Sequence, residues 1–286
     1  MAGIATLAAL QTASANAIAT HVLRQNIGAG AQTKGTSFCS LYAGVTIDFP
    51  ATTATAPGAL AAATCSSTTA NALPIPARSS GKKTYITGLS ASHMIIANAQ
   101  IDNGVMFVFD RLVHSSEMSG TSTGTQSCNT PTLPVRHNSS TGVDIEAFLE
   151  CYGSTGSSSV TATIAYTDSG GTGRSTSVTI PVSWRLGTML PIPAAAGAVG
   201  FKSIESVTLS GSTGTVGNFG VTLAKRICML PTRRTASPTQ QFAALDLAFP
   251  AIHESAFVWL AYLCGDSAVA NGTLTTFASL TTTEEP

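Results

Sequence analysis

Three carboxylates, Asp144, Glu146 and Glu150, fall at even positions of the segment GVDIEAFLECY. Side chains two apart in an extended strand share a face. These three therefore project from one side, while Val143, Ile145, Leu149 and Cys151 take the other. Glycoside hydrolysis uses two carboxylates about 5–10 Å apart, and alternate strand positions come near that separation. No second acidic strand or aromatic sugar platform accompanies them. The plainer expectation is a solvated outer face, or ion pairs with a neighbouring Arg or Lys. Asp110, His114 and Ser115 in GVMFVFDRLVHSS imitate a hydrolytic set. There is no G-x-S-x-G elbow, and strand spacing puts Asp110 more than about 10 Å from His114. They read as loop polar residues.

Other motifs are weaker. SGKKT at 80–84 resembles the end of a phosphate-binding loop, but position 76 is Pro where that loop needs Gly, and TYITG follows as a strand. GAGAQTKG at 28–35 lacks a preceding strand. His21, His93, His114, His137 and His253 make no H-x-H or H-x-x-x-H spacing, so no metal site is expected. NSS at 138–140 and NGT at 271–273 read as turns. No enzyme activity and no cofactor is expected.

The six cysteines, Cys39, Cys65, Cys128, Cys151, Cys228 and Cys264, form no C-x-x-C and no zinc spacing. They are either small buried hydrophobes or candidate disulfide partners, within the chain or between copies.

Composition frames these residues. The chain has 286 residues, 44% of them aliphatic, aromatic or cysteine, ample for a core. Only 10% are charged, and 14 Lys+Arg balance 14 Asp+Glu. An ordinary soluble domain has about 25% charged residues, and a net charge near zero promotes association. Either Ser and Thr supply the wettable surface, or other subunits cover much of it. The densest basic spots are the pairs Lys82-Lys83, Lys225-Arg226 and Arg233-Arg234, too short for phosphate binding, so no nucleic-acid partner is expected. No apolar run reaches the ~18 residues of a membrane helix, and no membrane partner is expected.

Residues 1–82 read as an N-terminal helix followed by a low-complexity arm. Ile4, Leu7 and Leu10 recur at three-residue spacing, and Ile18 and Val22 at four, which predicts an amphipathic helix over the first 30 or so residues. The absence of a basic region before it argues against a signal peptide. Residues 28–82, rich in Ala, Thr, Ser, Gly and Pro, read as an extended arm lying across something, or as loops on the main domain. From Thr84 the pattern becomes strands. TYITGLSA alternates, and GVMFVFDRLVH is apolar on both faces, as in a central strand. In VTATIAYTDSGGTGRSTSVTIP, Val160, Ala162, Ile164 and Tyr166 take one face while Thr161, Thr163 and Thr167 take the other. Threonine suits a pleated strand because it is β-branched, and its hydroxyl wets the outer face without charge. IESVTLS, FGVTLAKRI, ESAFVWLAYLC and GTLTTFASL add further strands. Trp259 in ESAFVWLAYLC reads as core. About ten short strands with Gly, Ser and Pro turns predict a mainly β domain over 83–286, a jelly-roll-like antiparallel β-sandwich.

The block from FVFDRLVHSSEMSG through GVDIEAFLECYGSTGSSSVTATIAYTDSGGTGRS to IESVTLSGSTGTVGNFGVTLAKRI resembles a group of virion structural proteins of tailed double-stranded DNA bacteriophages, over roughly residues 80–286. The resemblance carries no catalytic motif. It implies a part of the particle (head decoration, neck or collar, or tail) that is assembled in the host cytoplasm. The implied partners are copies of itself and other phage structural proteins. Cysteines bridging after lysis would then reinforce the shell. The alternative is a receptor- or carbohydrate-binding module of a fibre or spike, using loops near HSSEMSGTSTGTQSC or WRLGTML.

Overall fold

The computed structural model describes residues 17–27, 38–40, 63–69, 72–73, 75–79, 81–96, 103–128, 130–233, 250–264 and 273–284. These hold fifteen strands and one short 3-10 helix. The first eight strands are β1 (Ala17–Ile27), β2 (Phe38–Ser40), β3 (Ala63–Thr64), β4 (Thr84–Ile96), β5 (Asn103–His114), β6 (Gln126–Ser127), β7 (Ile145–Gly153) and β8 (Val160–Asp168). The remainder are β9 (Gly173–Ile180), β10 (Thr188–Ile192), β11 (Phe201–Leu209), β12 (Asn218–Arg233), β13 (Ala251–Ile252), β14 (Val258–Cys264) and β15 (Thr273–Glu284). The helix spans Arg136–Thr141, and every strand pairing is antiparallel.

The largest sheet runs β12-β7-β10-β2-β14-β5, and β5 pairs again with β12. It is therefore a closed six-stranded barrel, with β3 added at the end of β5. The sixteen-residue β12 makes closure possible: residues 218–225 pair with β7, residues 222–233 pair with β5, and the shared residues 222–225 are bonded on both edges. Two four-stranded sheets flank the barrel, β6-β11-β8-β9 and β1-β15-β4-β13.

Three apolar clusters follow from this arrangement. Inside the barrel lie Phe38, Phe107, Phe109, Phe148, Met189, Phe257 and Trp259. Phe109 meets Phe148 edge-on at 5.6 Å and Trp259 at 5.3 Å. Between the barrel wall and the β8/β11 sheet lie Leu149, Cys151, Val221 and Leu223 against Ile164, Tyr166, Ile204 and Val207. Between the opposite wall and the β4/β15 sheet lie Met106, Val108 and Leu260 against Ile86, Leu89 and Leu280. Barrel strands are thus buried on both faces, which is why their segments read as continuous apolar runs.

A bulge opposite Leu223/Ala224 gives β5 an extra residue at Leu112. Leu112 and Val113 both join the outer cluster, and His114 returns to the side occupied by Arg111, the re-aiming that bulges perform. Gly220 lies where β12 passes the end of β5. A Cβ there would collide with the Ser115 carbonyl, so the close approach needs glycine.

Several expectations change. The chain is mainly β and antiparallel, but the described residues draw a closed barrel with two flanking sheets where a jelly-roll-like sandwich was expected. Over Ala17–Ile27 the expected N-terminal helix is a strand paired with β15 from Ile27↔Leu274 to Ala17↔Thr283. The four-residue spacing of Ile18 and Val22 is compatible with a strand as well as with a helix. Residues 1–16 lie outside the described residues. Phe38–Ser40, before the expected boundary at 82, is a barrel strand, and Ala63–Thr64 pairs with the end of β5. Val143 is exposed because Asp144 adopts φ 56, which starts β7 only at Ile145.

Candidate functional site

Polar chemistry concentrates at one end of the barrel. β5 brings Asp110, Arg111 and His114; β7 brings Glu150 and Tyr152; β12 brings Thr222; all are buried. Arg111 Nη2 donates to both Glu150 oxygens, at 3.0 and 2.7 Å, and both side chains are fully enclosed. The guanidinium lies over the Trp259 ring at 4.4 Å and the Phe257 ring at 5.5 Å, a cation–π cage. The Thr222 hydroxyl donates to Glu150 at 2.8 Å. The Tyr152 hydroxyl accepts from Arg111 Nη1 at 3.5 Å.

His114 Nδ1 lies 3.1 Å from Thr222 Oγ1, 3.1 Å from the Tyr152 hydroxyl and 3.5 Å from Arg111 Nη1. Nε2 is buried and without a hydrogen bond among the described residues. Burial, then the neighbouring Arg111 charge, holds the His114 pKa well below the usual histidine value.

A second ion pair sits beside this cluster. Arg136 donates from Nε (2.6 Å) and Nη2 (2.9 Å) to Asp110, and Nη2 also reaches the Cys65 and Arg111 carbonyls. Asp110 accepts the Phe257 amide at 2.9 Å. Burial pushes the Asp110 carboxyl up to about 6, against the pull of Arg136 and the Phe257 amide, which leaves it ionised at neutral pH. Arg136 thereby fastens the helix to β5 and to the chain beside β3.

The expected residues fall as follows. Glu150 is sealed in the barrel, so the outer face expected for it is instead an interior. Glu146 pairs with Arg226 at 2.6 Å, and Asp144 with Lys225 at 3.2 Å. These two pairs border an open cleft of about 590 Å³, walled by Phe148, Pro191, Ala194, Val199 and Phe201 among others. The three carboxylates thus face three different cations, and the fold does not converge them on one substrate position. Asp110 and His114 are buried within β5 and Ser115 is buried just after it, where loop polar residues were expected. Ser115 Oγ accepts the Val221 amide at 3.1 Å, and His114 bonds Thr222 and Tyr152. His253 Nδ1 takes the Ser255 amide and hydroxyl in a local turn. The side chains of His21, His93 and His137 lie outside what is described. Lys82 and Lys83 lead into β4, and GAGAQTKG at 28–35 lies outside the described residues. Among the described residues, no group of three or more His, Cys, Asp or Glu is placed to hold a metal.

Cys65, Cys128, Cys151 and Cys228 are free thiols, the first three buried. The side chains of Cys39 and Cys264 lie outside what is described. Burial raises the thiol pKa to about 11 for Cys65 and about 12 for Cys128, Cys151 and Cys228. Thiolates do the reacting. Alkylation of the native protein at neutral pH, followed by peptide mapping, should leave Cys65, Cys128 and Cys151 unmodified, with labelling only after denaturation.

Sequence reasoning missed Arg111, Arg136, Tyr152 and Thr222. One signal was present: Asp110-Arg111 interrupts a segment apolar on both faces, and charges in a buried strand need partners.

The His114 arrangement predicts a pH dependence. Its folded pKa is depressed, so the unfolded chain takes up the proton first, below about 6.5. Stability is then fully present above that pH and falls as pH drops, by about 1.4 kcal/mol per unit. Asp110, raised to about 6, acts in the opposite sense between that value and its unfolded pKa. His114→Asn keeps a polar side chain that can donate or accept and removes the titration. The stability difference between wild type and His114→Asn should therefore shrink steadily from pH 7 to pH 5 in urea melts. A constant difference would contradict a neutral buried His114.

Compared with known proteins, the chain matches no family model, and it matches no curated protein sequence.

Proposed function

We propose that this protein is a non-enzymatic structural component of a tailed double-stranded DNA bacteriophage particle. It associates with copies of itself and with a major head, neck or tail protein, and it is assembled in the host cytoplasm. It takes no cofactor, nucleic acid or membrane as partner.

The observation that carries this reading is where the charges are and are not. The charged groups at the barrel's polar end lock strands together in internal pairs. The outer face of the β8/β9 sheet presents Thr161, Thr163, Ser175, Ser177 and Thr179, all exposed and none charged. Such a face is wettable yet costs little to desolvate against a neighbour, since no ion has to be stripped of water. The resemblance of residues 80–286 to virion structural proteins points the same way. A glycan-binding module would present aromatic rings, whereas both tryptophans, Trp184 and Trp259, are buried.

Mass spectrometry of purified particles, with antibody labelling in electron micrographs, tests the reading. The protein should be present in a fixed copy number at one location. Absence from purified particles sinks it.

A further inference from the structure

The strand β9 ends its sheet and pairs with β8 through a continuous register, Val160↔Ile180 to Thr167↔Gly173, without a bulge. The Asp168 amide donates to the Thr172 carbonyl at 2.9 Å. This sets the phase of the ladder: Arg174, Thr176 and Val178 direct their backbone groups at β8. In an antiparallel pair the alternate residues direct theirs away, here Gly173, Ser175, Ser177 and Thr179. Those four residues are exposed. Arg174, Thr176 and Val178 are half-buried, while their β8 partners Ala162, Ile164 and Tyr166 are buried. Among the described residues no strand pairs with this edge.

Natural sheets guard such edges with shortness, bulges, proline or lysine. The end strands β3, β6 and β13 have two residues each, and β1 carries Arg24 in mid-strand. β9 uses none of these devices. It has eight residues, a regular register, and Pro181 only after its end. Its one charge, Arg174, is held by Asp168 at 2.9 Å.

We infer that β9 pairs antiparallel with β9 of a second copy about a two-fold axis at Thr176, fusing two sheets into one. The register is self-complementary. Gly173 opposes Thr179 of the other copy and Ser175 opposes Ser177, so every outward N–H and C=O finds a partner. Thr176 meets its own copy, and Arg174 meets Val178, which keeps the two arginines apart. This rests on the self-association reading above and supplies its surface.

Sedimentation of the full chain over a range of concentrations tests the inference. Wild type should dimerise. The double variant Ser175→Lys/Ser177→Lys sets lysines opposite lysines and should weaken dimerisation at least about tenfold, with circular dichroism and melting temperature unchanged. Thr163→Lys, on the same face but on β8, should dimerise as wild type does. Thr176→Cys should form a disulfide-linked dimer on oxidation, because directly opposed residues bring their Cα atoms within bridging range. Ser175→Cys should not, because its copy stands diagonally at about 7–8 Å. A monomeric wild type overturns the inference, as does a dimer indifferent to the lysines. Neither result touches the particle assay, and absence from particles would sink the functional reading while leaving the dimer measurable.

Discussion

Replacing Glu150 with Gln is expected to cost the fold about 3–5 kcal/mol, the usual result of removing one partner from a buried ion pair. The side chain keeps its shape, so the loss reports charge. Arg111 stays in place, fully enclosed by Trp259, Phe257 and Tyr152, with no anion against it. Thr222 also loses the carboxylate to which its hydroxyl donates. With total stability typically 5–15 kcal/mol, the urea midpoint should fall by at least ~1 M. The double variant Arg111→Met/Glu150→Met should recover much of the loss, because two apolar side chains leave no stranded charge. If Glu150→Gln melts as wild type does, the pair is not enclosed as described. If the double variant is as unstable as the sum of the singles, the two residues are not coupled.

Residues 83–286 expressed alone should not reach the native state. Composition draws a boundary there, but the barrel does not. β2 sits between β10 and β14, pairing Phe38↔Met189 on one side and Phe38↔Leu263 on the other. Its removal opens the barrel along two strand edges at once, and open edges invite association. Phe38 also leaves the aromatic interior, where it meets Phe107 at 5.2 Å and Phe148 at 5.3 Å. Trp259 loses the Ser40 hydroxyl to which its Nε1 donates at 2.9 Å. Phe38→Ala in the full chain should by itself cost about 3–5 kcal/mol. The truncated chain should lack the near-ultraviolet signal of packed tryptophan and tyrosine and should aggregate. A soluble 83–286 fragment with native near-ultraviolet dichroism and a cooperative melt would show that β2 is dispensable.

Both results turn on the same gap between pattern and fold. Alternation correctly grouped Glu146 with Glu150, and Ile145 with Leu149 and Cys151. It could not say which group meets water. Period two assigns residues to two faces; whether a face is outside or inside a barrel depends on pairings between residues far apart in the chain, such as Lys225↔Ile145 and Lys225↔Asp110 in the same strand. The Asp110-Arg111 pair was visible as an anomaly in an apolar strand. Its partners Arg136 and Glu150 were not, because they arrive from the 3-10 helix and β7. The Ser/Thr hairpin of β8 and β9 was legible in full, since both strands and their turn are local: Gly171 takes φ 80 and Asp168 bonds Thr172 and Arg174.

The sequence by itself determined the β class, most of the strands, the hydroxyl-bearing face and the scarcity of charge, because these depend on residue type and on spacings of a few positions. The tertiary structure alone decided that the sheet closes, that a three-residue piece of the low-complexity region completes it, and that Glu150 and His114 lie within. Closure is set by long-range backbone pairing, and a strand of three residues carries no periodicity to announce it.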